Sequence, residues 1–411
     1  MVRQRLCGPV RGGPRLAAHH AAAGAADEGL TRFFLWGKCG MDIVDGMDLV
    51  DSVGSVRPAP RPLRPPRPFR PPFWPLILGL ALLPLLGCEQ PAQRPRLPAE
   101  PAPVPGPEAP VSGDLPAQAR QIVLDGLADA DPQIRANAVE VVASTRAIPL
   151  MPNVQKLLAD PVVPVRFAAL LAVGDLEYAP GKNAVAPLLN DANPNIRIAA
   201  AYALSRLGQP DYYKEICNAV ASSDQTVRAN AALLLGKSGR KDSIRFLYWT
   251  LQRDDSSDMV VLQTAEAIAM LGDHRIYRKL WTRLISAYAD DRVIGVRAMG
   301  ALGTDEAKSA IVTMLDDKVP EVRLAAAEQL GRLGDSGGEA EVLAVFEKNQ
   351  MAGLDALSRQ RVKILAALAI GEIGTAPLMK YLPQLLHDSS KIVRLAAAKA
   401  VLRRNMQKPG S

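Results

Sequence analysis

One motif recurs through the last two-thirds of this chain, and few folds can accommodate it. A basic residue stands at Arg135, Arg166, Arg197, Arg228, Arg292, Arg323, Lys363 and Arg394, with Val261 filling the remaining place. The intervals are 31, 31, 31, 33, 31, 31, 40 and 31 residues. The position before it is apolar throughout, apart from Asp291 in the sixth copy. Three residues after it the side chain is small (Ala138, Ala169, Ala200, Ala231, Thr264, Gly295, Ala326, Ala366, Ala397), and seven after it is apolar (Val142 to Val401). Offsets of −1, +3 and +7 form one stripe of an α-helix. Eleven after the basic residue come Gly208, Gly239, Gly272, Gly303, Gly334 and Gly374, a residue that ends helices in the left-handed conformation. A shorter apolar segment, such as Ala184 to Leu189 or Lys308 to Leu315, precedes each such helix.

Each unit is thus two antiparallel helices that cannot bury their apolar faces alone, so the units must stack. The expected fold is all-α, a right-handed α-solenoid of about nine repeats, with the second helix of each repeat lining the concave side. The columns resemble HEAT repeats, particularly the short type of the phycobilin lyases, over roughly residues 115–405. That resemblance implies a structural role for Asp129, Asp160, Asp191, Asp255, Asp317 and Asp388, six residues before the basic column. In such arrays the Asp caps the second helix or pairs with an Arg of its own or an adjacent repeat. A row of carboxylates could also suggest metal or acid–base chemistry, which is the weaker reading.

The concave face is the default binding surface of a solenoid. Offsets +5 and +9 should face it, giving Tyr202, Arg206, Lys237, Glu266, Arg297, Glu328, Arg332, Glu372, Lys399 and Arg403 as candidate partner-binding residues. Their mixed charge suits protein better than phosphate, which favours one sign, so no nucleic acid is expected. Two further features stand out. Eight aromatic residues fall between Tyr212 and Tyr288, with Arg275, Arg278, Lys279 and Arg283 beside Tyr277 and Trp281. Helical spacing makes several of these rings core; the basic stripe is most simply a solvated helix face, although beside partly exposed rings it could receive an acidic partner. The 40-residue interval inserts nine residues around Lys348 to Arg359, either for contacts or by drift.

The first 113 residues differ in kind. They hold 20 of the 34 Pro and thirteen Lys/Arg against nine Asp/Glu, leaving thirty-six against thirty-three for residues 114–411. The basic pI therefore says little about the repeat domain. Phe73 to Leu86 is a 14-residue uncharged run, shorter than the ~20 needed to span a bilayer and typical of a signal peptide core. Arg57, Arg61, Arg64, Arg67 and Arg70 precede it, and Leu85-Leu86-Gly87-Cys88 ends it. This arrangement resembles the lipobox of bacterial lipoproteins, although Leu86 stands where a small residue is commoner. The resemblance implies cleavage before Cys88 and lipidation of its thiol. Residues 1–87 then form the export region, with 1–40 reading as sequence ahead of the true start. Eight Pro in Glu89 to Gly113 make a polyproline stalk of roughly 75 Å. Glu89 after the Cys, where Asp would retain a lipoprotein in the inner membrane, implies an outer-membrane address facing the periplasm in a two-membrane bacterium.

Catalysis finds little material. His19, His20, His274 and His387 are not followed by Glu, unlike the iron ligands of the HEAT-like deoxyhypusine hydroxylase. CxxC, HExxH and phosphate-loop patterns are missing from the sequence, and Cys217 sits in a helical pattern as a small hydrophobe. The sequence thus predicts a lipid-anchored, non-catalytic envelope scaffold for protein partners, without metal or cofactor. The alternative is a cytosolic enzyme-accessory or phycobilin-lyase-like protein, for which the first 88 residues would have to be uncleaved.

Overall fold

A computed structural model describes residues 114–348 and 350–406. The export region, Cys88 and the proline-rich stalk lie outside the described residues. Within them, every regular element is helical. The second helices are Pro132–Ser144, Val163–Asp175, Pro194–Arg206, Gln225–Lys237, Asp258–Met270, Ala289–Leu302, Pro320–Arg332, Ala356–Ile373 and Lys391–Met406. Each follows a first helix, beginning with Leu115–Leu127, and many of these start or finish in a turn of 3₁₀-helix. None of the described helices is long and apolar enough to cross a membrane.

The starts and stops of the second helices have local causes. Pro132, Pro194 and Pro320 occupy the first helical position, where the missing N–H costs nothing. Asp131, Asn193, Asp224, Ser257 and Asp355 accept a backbone N–H as N-caps. The six column glycines all turn left-handed, with φ between 67° and 85°. In the first two repeats, where the sequence lacks this Gly, Arg146 (φ 48°) and Glu177 (φ 51°) adopt the same conformation. The turn is therefore a requirement of the architecture rather than of the residue.

The second helices carry most of the core, and each packs directly on the next second helix. At offset +8 from the basic column the approach is closest. A Cβ on Gly236 would lie 2.8 Å from the Ala267 Cα, and one on Gly371 would lie 2.7 Å from the Ala400 Cα. The small +3 column faces its own first helix instead, as at Gly295, where a Cβ would meet Arg283 and Leu284. Second helices that crowd together while first helices stay apart must lie on the short-radius side.

The curvature is enough to close the array on itself. The last second helix, Lys391–Met406, packs on Leu115–Leu127 and Pro132–Ser144 of the first repeat. Leu395 lies against Gly126, where a Cβ would sit 3.1 Å from the leucine's Cδ2. Lys391 pairs with Asp129 at 2.7 Å and Lys399 with Glu140 at 2.9 Å, joining residues 262 and 259 positions apart. The open concave surface expected of a solenoid is thus replaced by a ring with an inner wall. The nine-residue insertion lengthens the eighth second helix to 18 residues and adds a turn at Gly353.

Two outcomes follow from this packing. A carbodiimide should cross-link Lys391 to Asp129 within monomeric protein, and an open array would yield no such peptide by mass spectrometry. Arg146→Gly should relieve a left-handed non-glycine residue and raise stability by about 0.5–1 kcal/mol in urea unfolding, the strain relief being partly offset by backbone entropy.

Candidate functional site

The Asp and Arg columns form one ladder around the rim where the second helices begin. Arg135 pairs with Asp160 (2.8 Å), Arg166 with Asp191 (3.3 Å), Arg228 with Asp255 (3.1 Å), Arg292 with Asp317 (2.7 Å) and Lys363 with Asp388 (2.6 Å). Each cation reaches the Asp of the following repeat. Each Arg also donates to the carbonyl six residues behind it, as Arg135 to Asp129, Arg197 to Asp191, Arg323 to Asp317 and Arg394 to Asp388. The aspartates accept the N–H two residues on, for example Asp160 from Val162 and Asp317 from Val319. Breaks in the sequence columns have visible consequences. Ser222 stands where Arg197 would find its Asp, and Arg323 turns to Glu341 and Gln350 instead. Asp291, the charge in the apolar column, is held by Arg283 and Ser286.

Hydrogen bonds from Lys391 and the Asp131 N–H hold the Asp129 carboxyl below the ordinary carboxylate range. Burial pushes Asp317 up, but hydrogen bonds from Arg292 and the Val319 N–H outweigh it and the net shift is downward. These carboxylates are paired with cations and accept the N–H groups of their turns. Among the described residues no group of His, Cys, Asp and Glu is placed to hold a metal ion.

The candidate partner-binding residues do sit on the inner wall, but they bind one another. The Tyr202 hydroxyl is buried and donates to Asp175 (2.6 Å), where burial and the carboxylate keep it protonated. Lys237 reaches across a whole repeat to the same Asp175 (2.7 Å), possible only where repeats converge. Arg206 pairs with Glu177, Arg297 with Glu328, Arg403 with Glu372 and Lys399 with Glu140. Glu266 accepts from Gln263. Arg332 is the exposed member of the set. Apart from Arg332, the charged side chains of this set are engaged with one another or with neighbouring polar groups. Cys217 is buried as expected, beside Tyr213, whose hydroxyl bonds Ser243.

Exposure lies on the outer side. Trp249 (37%), Trp281 (38%), Ile285 (68%) and Tyr288 (74%) are solvent-exposed, while Phe246 and Tyr213 are core. Tyr277 stacks on Trp281, Arg253 lies over Trp249 and Arg275 over Tyr248. The clustering of aromatic residues was readable; which rings stay exposed depends on the unseen helix rotation.

Family models for HEAT repeats match residues 279–349 and residues 183–209. No curated protein matches the chain. Among solved structures, human deoxyhypusine hydroxylase in complex with glycerol shares 16% identity over 65% of this chain and 99% of its own, with a TM-score of 0.32. The CpcE–CpcF complex of phycocyanin lyase from Nostoc sp. shares 18% over 67% and 98%, with a TM-score of 0.37. A Kap121p mutant shares 14% over 68% and 37%, with a TM-score of 0.29.

Removing one member of a buried pair strands the other. Arg292→Ala should cost about 3 kcal/mol in urea unfolding, whereas Arg253→Ala, on the exposed Asp255, should leave the midpoint unchanged. Because Asp129 and Asp317 titrate below their ordinary value of 3.8, their contribution is present above it and is lost as pH falls further. Thermal stability should therefore fall below about pH 4, less steeply in Asp317→Asn, as differential scanning calorimetry would record. The repeat columns and the helical pairs make the described residues an α-solenoid closed into a ring, with HEAT repeats recognised at residues 183–209 and 279–349.

Proposed function

We propose that this protein is a lipid-anchored scaffold of the bacterial cell envelope that binds protein partners through its HEAT-repeat ring, without catalysis. The observation that supports a scaffold is the pairing of the inward polar groups. With Arg297, Glu328, Lys237, Asp175, Lys399 and Glu140 tied to one another, the ring offers partners a fixed outer surface. That surface exposes large apolar side chains, above all in repeats five and six.

The anchor rests on the sequence. A basic flank, a 14-residue apolar run and Leu85-Leu86-Gly87-Cys88 occur in the order that export and lipidation require. Glu89 after the Cys favours the outer membrane, facing the periplasm where two membranes exist. A proline-rich segment from Glu89 to Gly113 would then hold the ring off the bilayer.

Cross-linking capture of the C-terminally tagged full chain from native membranes tests both parts. Wild type should fractionate with membranes and retain a near-stoichiometric protein partner, and Cys88→Ala should leave the membrane fraction. A wild-type protein recovered in the cytosol with a small ligand would overturn the envelope reading in favour of an enzyme-accessory role.

A further inference from the structure

The first helices of repeats five and six share a register that the second-helix columns conceal. Both open with a three-residue 3₁₀ turn, Lys241–Ser243 and His274–Ile276, followed by eight-residue helices Ile244–Leu251 and Tyr277–Leu284. Superposing those turns aligns Arg245 with Arg278, Tyr248 with Trp281 and Gln252 with Ile285. The buried residues agree, since Leu247 aligns with Leu280. In repeat seven the same register places Val312, 45% exposed, beneath Trp281, with buried Ile311 beneath Leu280. A column of partly exposed apolar side chains, Tyr248–Trp281–Val312, thus crosses three consecutive first helices on the outer face.

Charge accompanies it. Lys241, Arg245, Arg278 and Lys279 are exposed, and none has an ion-pair partner among the described residues. The helix Tyr277–Leu284 carries three cations and no carboxylate. Between the first helices of repeats five and six lies a groove of about 600 Å³, with Ile244 and Tyr248 as its apolar floor and Lys241, Arg245 and Arg275 at its rim.

We propose that this outer face binds an extended, acidic segment of a partner protein, with its apolar side chains along Tyr248, Trp281 and Val312 and its carboxylates on Arg245 and Arg278. Packed helices stand roughly 8–10 Å apart. A polyproline II chain advances ~3.1 Å per residue and returns to the same face every third residue, so its repeat is ~9 Å. Every third side chain can then meet successive members of the column, while acidic residues between them reach the cations. The proposal rests on the protein-binding part of the scaffold reading and is independent of lipidation at Cys88.

The test is fluorescence anisotropy with the full-length protein in detergent and a dye-labelled peptide of repeated Glu-Glu-Leu triplets, beside a Lys-Lys-Leu peptide of equal length. The acidic peptide should bind. Arg278→Glu and Trp281→Ala, both exposed and checked for unchanged thermal melts, should each weaken it about tenfold or more. Arg332→Ala should not. Arg278→Glu should also improve binding of the basic peptide. Equal binding of the two peptides by wild type, or Trp281→Ala without effect, would overturn the proposal. It would also fall if Trp281→Ala instead abolished binding to phosphatidylglycerol vesicles, or abolished a concentration-dependent self-association seen by sedimentation. Trp281→Ala in the membrane capture separates the two levels of failure: undiminished partner recovery would reject this surface while leaving the scaffold reading intact.

Discussion

The ring depends on how closely consecutive second helices approach one another. At Gly236 and Gly371 the backbone of the next helix occupies the space a Cβ would need. A methyl at those points would push neighbouring second helices apart while leaving the first helices where they are. The wedge angle of each repeat would then decrease, and over nine repeats a small decrease would leave the ends unmet. Packed interiors do not absorb such changes by yielding, because they are filled at crystal-like density. Closure is thus a collective consequence of many local approaches, and the seam between Leu395 and Gly126 forms only because the others hold.

The ion-pair ladder plays a different part. Buried pairs gain little net stability over well-packed apolar residues, because desolvation offsets most of the attraction. Their strength is geometric. An Arg that donates to its own turn and to the Asp of the next repeat, as Arg292 does to Ser286 and Asp317, permits one rotation between the two. Between repeats four and five a second tie accompanies the ladder pair Arg228–Asp255: Gln225 holds the turn of repeat five through the Asp255 carbonyl and the Ser257 N–H.

Most of the fold was legible because its determinants are local and periodic. The basic column, the −1, +3 and +7 stripe and the terminal glycines each act within one helix or its turn, so a 31-residue period exposes them. The left-handed turns at Arg146 and Glu177 were hidden, since the residue type gave no signal and only the architecture imposes the conformation. Closure was hidden for a deeper reason. Lys391 and Asp129 are ordinary surface types, and their pairing depends on a curvature summed over the intervening repeats. The pairing of the candidate binding residues was hidden by the same route, because offsets +5 and +9 meet across repeats only at the radius that the whole array sets.

That radius also sets what the molecule can recognise. On an open solenoid, binding and curvature are coupled, because a ligand held in the concave face changes the spacing of the repeats. Here the inner side chains are already each other's ligands, with Lys237 and Tyr202 both converging on Asp175. Contacts on the outside therefore meet first helices whose spacing the inner wall has fixed. Such a surface is pre-organised, so a partner meets little cost from ordering the ring itself. The same fixity makes register matter more than area: side chains at one position of successive first helices stand at a constant interval. A flexible partner must therefore match that interval or lose contacts after the first.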